Sequence, residues 1–547
     1  MKYRHALLLI LLFAFSFNLQ AQDDKGFEIS KNLEIFANVY KTLHQNYVDD
    51  VDPGKAMKTA IDAMLASMDP YTNYYPESDM EDVKMQLLGQ YGGVGALIHQ
   101  DEDKNIFISE PYEGLPADKA GLKAGDRIVA VNGESTQGKT NADVSSAMRG
   151  QAGTDVTLRL ERDGKEFDVN ITRAEIKLPN VPFSGMVEGN IGYVRLDEFT
   201  QDAAKNVRDA FNALKREHPD MQGFILDLRN NGGGLMNEAV DIVNIWVKQG
   251  ELVVKTIGKV KAKNTLNFTR MDADDPNIPV AVLINEHSAS ASEIVSGSLQ
   301  DLDRAVIIGE RSYGKGLVQN ILPMPYNNQM KVTVSKYFIP SGRCIQAIDY
   351  SRHDENGRAV KIPDSLKTAF QTRNGRTVYD GFGIEPDIEV EHPLSSLVTV
   401  ALFNKRLFFS YANKFVKEHP TIAPARQFKI SDEIYQDFVN FLSDKSYEYT
   451  TYTERLIEEM RKVAEDENYI DELKQQLDAL ESNYKAAKKD DLMRNREDVS
   501  QYLRDEILVR YYYQKGRIEG ALDNDPDIKK AVEILSNRAE YNKILGK

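Results

Sequence analysis

The chain has 547 residues, and at about 150 residues per domain three or four domains are expected rather than one. Acidic residues outnumber basic ones, 84 to 68, giving a formal net charge of −16, which disfavours a nucleic-acid partner needing a basic face. At 41% hydrophobic and 28% charged the composition supports sizeable globular cores, and the single cysteine, Cys344, excludes a disulfide framework and a cysteine zinc cage.

Residues 1–21 begin with Lys2 and Arg4, continue as an apolar run over 6–17 and end in Leu19-Gln20-Ala21. The run is well short of the roughly 20 residues a membrane-spanning helix needs. It reads as a secretory signal peptide cleaved after Ala21, so the expectation is a periplasmic or secreted protein without a stable membrane anchor.

Further on, Ile29, Leu33, Phe36, Val39 and Leu43, then Met57, Ala60, Ile61 and Met64, recur at steps of three and four, which predicts two amphipathic helices split by Asp52-Pro53-Gly54. After Gly92-Gly93 the period becomes two, over 94–98, 106–108, 128–131, 156–160 and 167–171, and predicts a small β-rich module. Beyond Pro182, apolar strands at 191–196, 223–228, 280–284 and 305–308 alternate with helices at 202–216, 237–246 and 292–299, the pattern of an α/β layered core. Residues 346–378 are polar and aperiodic, as in a long insertion or flap. From residue 397 the chain is helical and heavily charged, and reads as a solvated helical appendage.

Three segments offer chemistry. Asn285-Glu286-His287-Ser288-Ala289-Ser290-Ala291-Ser292-Glu293 lies between an apolar strand and a helix. Such a small-residue turn exposes side chains and aims free backbone N–H groups outward, where the positive end of the helix favours a developing anion. Taken alone, it reads equally well as a serine-rich helix cap. His287 is one candidate base, but a serine–histidine pair needs a third group to orient the imidazole. Lys315, between Gly314 and Gly316, is another: the glycines allow close backbone approach, and burial of the ammonium would favour the neutral amine that can deprotonate a serine. The third segment is Asp227-Leu228-Arg229-Asn230-Asn231-Gly232-Gly233-Gly234, at the carboxyl end of a buried strand, where α/β proteins open a ligand crevice.

Together with Asp69-Pro70-Tyr71-Thr72, Tyr91-Gly92-Gly93-Val94-Gly95, Ala120-Gly121-Leu122-Lys123-Ala124-Gly125-Asp126 and Pro340-Ser341-Gly342-Arg343, these segments resemble the C-terminal processing peptidases, or tail-specific proteases, which are serine endopeptidases carrying a PDZ domain. The resemblance runs from about residue 30 to 395 in the family's motif order. It implies a multidomain α+β protein: signal peptide 1–21, helical region 22–89, PDZ domain 90–178, an α/β (ClpP/crotonase-like) peptidase core 179–398 with an insertion at 347–380, and a charged helical region 399–547.

The resemblance further implies Ser290 as nucleophile, Lys315 as general base, Gln319 as the group orienting the lysine, and the N–H groups of Gly233 and Ala291 as the oxyanion hole. Tyr91, Gly92, Gly93, Val94 and Gly95 would form the pocket for a substrate's terminal carboxylate, consistent with the way clustered N–H groups capture an anion while a peptide adds to a sheet edge. The chain departs from the family in having Gly232 where proline is frequent, and in the length between Pro340-Ser341-Gly342-Arg343 and Gly383-Ile384-Glu385-Pro386-Asp387. No cofactor or metal is implied. The expected partners are protein or peptide C-termini, not nucleic acid, and the C-terminal helices are a candidate surface for self-association or an adaptor. The competing readings are a catalytically inert PDZ scaffold of the same fold and an α/β esterase, the latter disfavoured by the absence of Gly-x-Ser-x-Gly.

Overall fold

The computed structural model describes residues 24–77, 90–355 and 357–547. The expected signal peptide lies outside the described residues. The chain divides into two compact units: one holds the N-terminal residues through Tyr75 with 321–332, the other residues 76–320 and 333–547. In the first, helices Asp24–Asn46 and Pro53–Ala66 precede a short strand, Asn73–Tyr75, paired antiparallel with 329–331. Asp52 caps the second helix through Lys55 N–H, with Pro53 at its first position.

The second unit is built on a six-stranded sheet in the order Phe183–Val187, Ile191–Arg195, Gly223–Asp227, Val280–Ile284, Val306–Gly309, Ile388–Glu389. Only the first pair is antiparallel. The central strands are buried on both faces, which is why they read as continuous apolar runs. One face, with Phe224, Leu226, Val282 and Ile284, packs on Val207, Phe211 and Leu214 of helix Ala203–Glu217 and on Val295 and Leu299 of helix Ala291–Asp301.

The other face, with Ile225, Ala281, Leu283 and Ile308, is covered by Ile518, Leu522, Ile528, Ala531, Ile534 and Leu535 from the end of the chain. Each buried isoleucine or leucine there contributes about 1.5–3 kcal/mol. The last helices are therefore a layer of the core and not a solvated appendage. Residues 398–508 form a separate aromatic-rich core around Phe408, Tyr411, Tyr435 and Phe438. Residues 347–380, expected as an irregular insertion, form two short hairpins, Ile348–His353 with Ala359–Lys361 and Ala369–Gln371 with Thr377–Tyr379.

A third sheet, Ala96–Gln100, Ile106–Pro111, Arg127–Val131, Asp155–Arg162 and Lys165–Thr172, closes over a core of Ile106, Ile108, Val144, Leu158 and Leu160. Its helix Asn141–Met148 starts at a capping box in which Thr140 and Asp143 exchange backbone N–H donors. The module is docked on the helical region: His99 stacks on Phe107 and meets the edge of Phe409 at 4.9 Å, and the Tyr513 hydroxyl donates to Asp118 at 2.9 Å.

Candidate active site

Strand Val280–Ile284 runs into the serine-rich turn, and helix Ala291–Asp301 leaves it. The turn is tied to the neighbouring strand by Ser288, whose hydroxyl accepts Asn285 N–H at 2.9 Å and donates to the Leu228 carbonyl at 2.8 Å. At the N-cap, Ser290 has φ 56° and ψ −110°, a conformation that costs a non-glycine residue about 1–3 kcal/mol. Strain of this kind persists only where the surroundings enforce it.

Glu293 does much of that enforcing. It is fully buried, and its carboxylate takes four donors: the Ser312 hydroxyl at 2.6 Å and Gly314 N–H at 2.7 Å on Oε1, Ser290 N–H at 2.7 Å and Lys315 N–H at 2.9 Å on Oε2. Burial pushes its carboxyl above the usual range, and the four hydrogen bonds oppose that rise. A second clamp works on the carbonyls. The buried Tyr337 hydroxyl lies 3.1 Å from Ser290 O and 2.7 Å from Lys315 O, and burial with the nearby Glu293 charge holds its phenol protonated, as a donor.

Lys315 is half-buried between its two glycines. Their role is close approach: a Cβ on Gly314 would stand 2.4 Å from Ala347 Cβ, and one on Gly316 2.8 Å from Gln346 N. Gln319 follows on strand Leu317–Pro323 and donates to the Thr333 hydroxyl at 3.2 Å. His287, the rival base, is exposed, and its Nε2 lies 3.6 Å from the carboxylate of its neighbour Glu286. Cys344 is half-buried, and burial pushes its thiol up, away from a reactive thiolate.

The glycine loop meets the serine turn directly. Gly233 has φ 103°, and a Cβ there would lie 2.8 Å from Ser290 Cβ and 2.9 Å from Ala291 N. Only glycine fits. Fully buried Asn231 holds the loop: its carbonyl accepts Ala289 N–H at 3.0 Å and the Ser292 hydroxyl at 2.8 Å, and its Oδ1 accepts Gly233 N–H at 2.9 Å. Ala291 is the first residue of its helix, so its N–H has no acceptor within that helix.

Tyr91, Gly92 and Gly93 lie on strand Gln90–Gly93, paired with Ala174–Lys177, and Val94 and Gly95 lead into Ala96–Gln100, which stands at the edge of its sheet. Gly92 passes so close to Gly150 that a Cβ would sit 2.0 Å from its carbonyl oxygen, and the Arg149 guanidinium lies 5.3 Å from the Tyr91 ring centroid.

The structure thus brings Ser290, Lys315, Gly233 and Ala291 into one cluster, with Gln319 on the adjoining strand and the Tyr91 to Gly95 segment in the β-rich module. Sequence reasoning gave no part to Glu293 or Tyr337, the two buried side chains that tie the serine turn to the Lys315 loop. The first was signalled by the Ser-x-x-Glu spacing of a capping box; the second had no local signal.

The α/β sheet carries a strained serine at a strand-to-helix turn, with a glycine loop packed against it, and a small β-rich module precedes that sheet in the chain. Three family descriptions match along the chain: PDZ domain over residues 107–162, Peptidase family S41 over 190–354, and "Probable PDZ-protease, C-terminal helical domain" over 398–535. The carboxy-terminal-processing protease of Bartonella bacilliformis is 35% identical over 369 residues, covering 66% of this chain and 76% of that protein. A CtpA-like serine protease of Staphylococcus aureus is 36% identical over 397 residues, covering 70% and 77%. Among solved structures, a photosystem II D1 C-terminal processing protease is 26% identical and covers 65% of this chain and 92% of that one, with a TM-score of 0.36. The chain belongs to the carboxy-terminal-processing protease family of S41 serine peptidases.

Proposed function

We propose that this chain is an exported serine endopeptidase that captures the C-terminus of protein or peptide substrates in its PDZ domain and cleaves them with Ser290 and Lys315. The observation that carries this reading is the shared anchoring of the two residues: both donate their backbone N–H to Oε2 of Glu293. A scaffold would have no use for a buried carboxylate that fixes a serine and a lysine together. The exported location rests on the residue 1–21 signal, and no helix among the described residues is long and apolar enough to cross a membrane.

In the proposed reaction, neutral Lys315 takes the Ser290 hydroxyl proton as the oxygen attacks the peptide carbonyl, and the lysine then protonates the departing amine. Water, deprotonated by the same lysine, releases the acyl group. The developing oxyanion is held by Ala291 N–H and by Gly233 N–H, the latter exchanging its Asn231 acceptor for the oxyanion. Gln319 orients the lysine. A substrate's terminal carboxylate binds at Tyr91 to Gly95, and its last residues add to Ala96–Gln100, the edge strand of its sheet among the described residues.

The test is hydrolysis of an unfolded protein with a nonpolar C-terminus by Ser290→Ala and Lys315→Ala. Both should lose cleavage, and wild-type rates in either would overturn the assignment. Amidating the substrate's C-terminus should raise KM, whereas an unchanged KM would refute capture through the carboxylate.

A further inference from the structure

The end of the chain reaches the loop that carries Gly233. Arg229 stands two residues beyond strand Gly223–Asp227, and its guanidinium is divided between two carboxylate systems. Nε and Nη2 bond Asp227 at 2.9 and 2.6 Å, while Nη1 bonds Asp525 Oδ2 at 2.8 Å and Asp527 Oδ2 at 2.7 Å. Tyr193 donates to Asp227 at 2.7 Å, and His392 lies 3.1 Å from the other oxygen of Asp527. Asp227 and Asp527 are each 1% exposed, and Arg229 is 14% exposed.

This is an awkward place for a cation. Asp525 is the N-cap of helix Pro526–Ser536, accepting N–H from Asp527 and Ile528, so the guanidinium faces the positive end of a helix. Its seat there depends on the two aspartates. Docking of the helix does not require them, because Ile528, Ala531, Ile534 and Leu535 already bury its apolar face on the sheet. What the ions add is direction, fixing where Arg229 points.

From Arg229 the chain passes straight into the catalytic loop. Asn230, at φ 62°, donates its N–H to Asn285 Oδ1 at 2.9 Å and accepts Asn285 Nδ2 at 3.0 Å; Asn231 then bonds the serine turn and Gly233. We infer that Asp525 and Asp527, through Arg229, are positioning residues for the Gly233 loop, which makes the C-terminal helix part of the peptidase's catalytic apparatus. The inference rests on the proposed Ser290 chemistry.

The experiment uses the full chain. Asp525→Ser keeps a good helix cap but removes the charge that grips Arg229; Asp527→Asn removes the other. In the double variant kcat should fall at least about tenfold, with KM for a C-terminal peptide substrate within about twofold, since an oxyanion donor misplaced by the loop affects only the transition state. Affinity for a peptide boronate, whose tetrahedral adduct places an oxygen in the oxyanion hole, should weaken in parallel. Asp527→Glu should restore part of both. Circular dichroism and assays below the unfolding temperature separate this outcome from loss of fold; if the double variant does not fold, Asp525→Ser alone carries the test. Unchanged kcat and boronate affinity in folded variants, with Ser290→Ala inactive, would overturn this inference while leaving the proposed function standing; an active Ser290→Ala would instead overturn the proposed function.

Discussion

Ser290 and Lys315 are held together twice, once through their N–H groups on Oε2 of Glu293 and once through their carbonyls at the Tyr337 hydroxyl. The serine's strained backbone and the lysine's glycine-flanked loop are thus fixed relative to each other by two buried side chains, neither of which carries the proposed chemistry itself.

The two clamps should differ in weight. Tyr337→Phe removes one hydroxyl, worth about 1 kcal/mol, and should lower kcat several-fold with KM nearly unchanged. Glu293→Gln replaces an acceptor of four donors by an amide whose NH₂ faces N–H groups, and should cost at least about tenfold more in kcat, with lower thermal stability. Steady-state kinetics on both variants check the order.

Gly233→Ala should abolish cleavage. The added Cβ would stand 2.8 Å from Ser290 Cβ at a backbone φ of 103°, so the loop must move away from the serine. A loss of about a hundredfold or more in kcat, with peptide binding to the isolated PDZ step unaffected in a fluorescence titration, is expected.

Stability should fall in mild acid because of His99. Burial, helped by Arg406, lowers its imidazole from 6.5 to about 4. Between those values the unfolded chain binds the proton and the folded chain does not, so the contribution is complete above pH 6.5 and is lost as pH falls, by about 3 kcal/mol across the window. Thermal unfolding followed from pH 7.5 to 5 should show this decline, and His99→Phe should flatten it. The ring sits between the PDZ strand and Phe409, so the loosening should appear first at that interface, as increased hydrogen exchange in residues 96–100.

Local chemistry made the α/β core legible in the sequence. Strand Val280–Ile284 is an apolar run bounded by turn residues, and the helix after it begins at a recognisable cap. The cluster's serine, lysine and glycine loop were legible as motifs. What joins them was not: Tyr337 lies 47 residues from Ser290, and a single tyrosine in a strand carries no pattern. The C-terminal layer was misread for a related reason. Ile528, Ala531, Ile534 and Leu535 form the buried face of a short helix, and its partner is a sheet face some 220–310 residues earlier, so the charged surface of the surrounding helices dominates the sequence.

In the proposed function Ser290 is a nucleophile activated by Lys315. The most direct test of that role is intact-protein and peptide mass spectrometry after reaction of the full chain with a fluorophosphonate. One adduct is expected, mapped to Ser290, absent in Ser290→Ala and formed far more slowly in Lys315→Ala. An adduct on another residue, or labelling of Ser290 undiminished without Lys315, would contradict it.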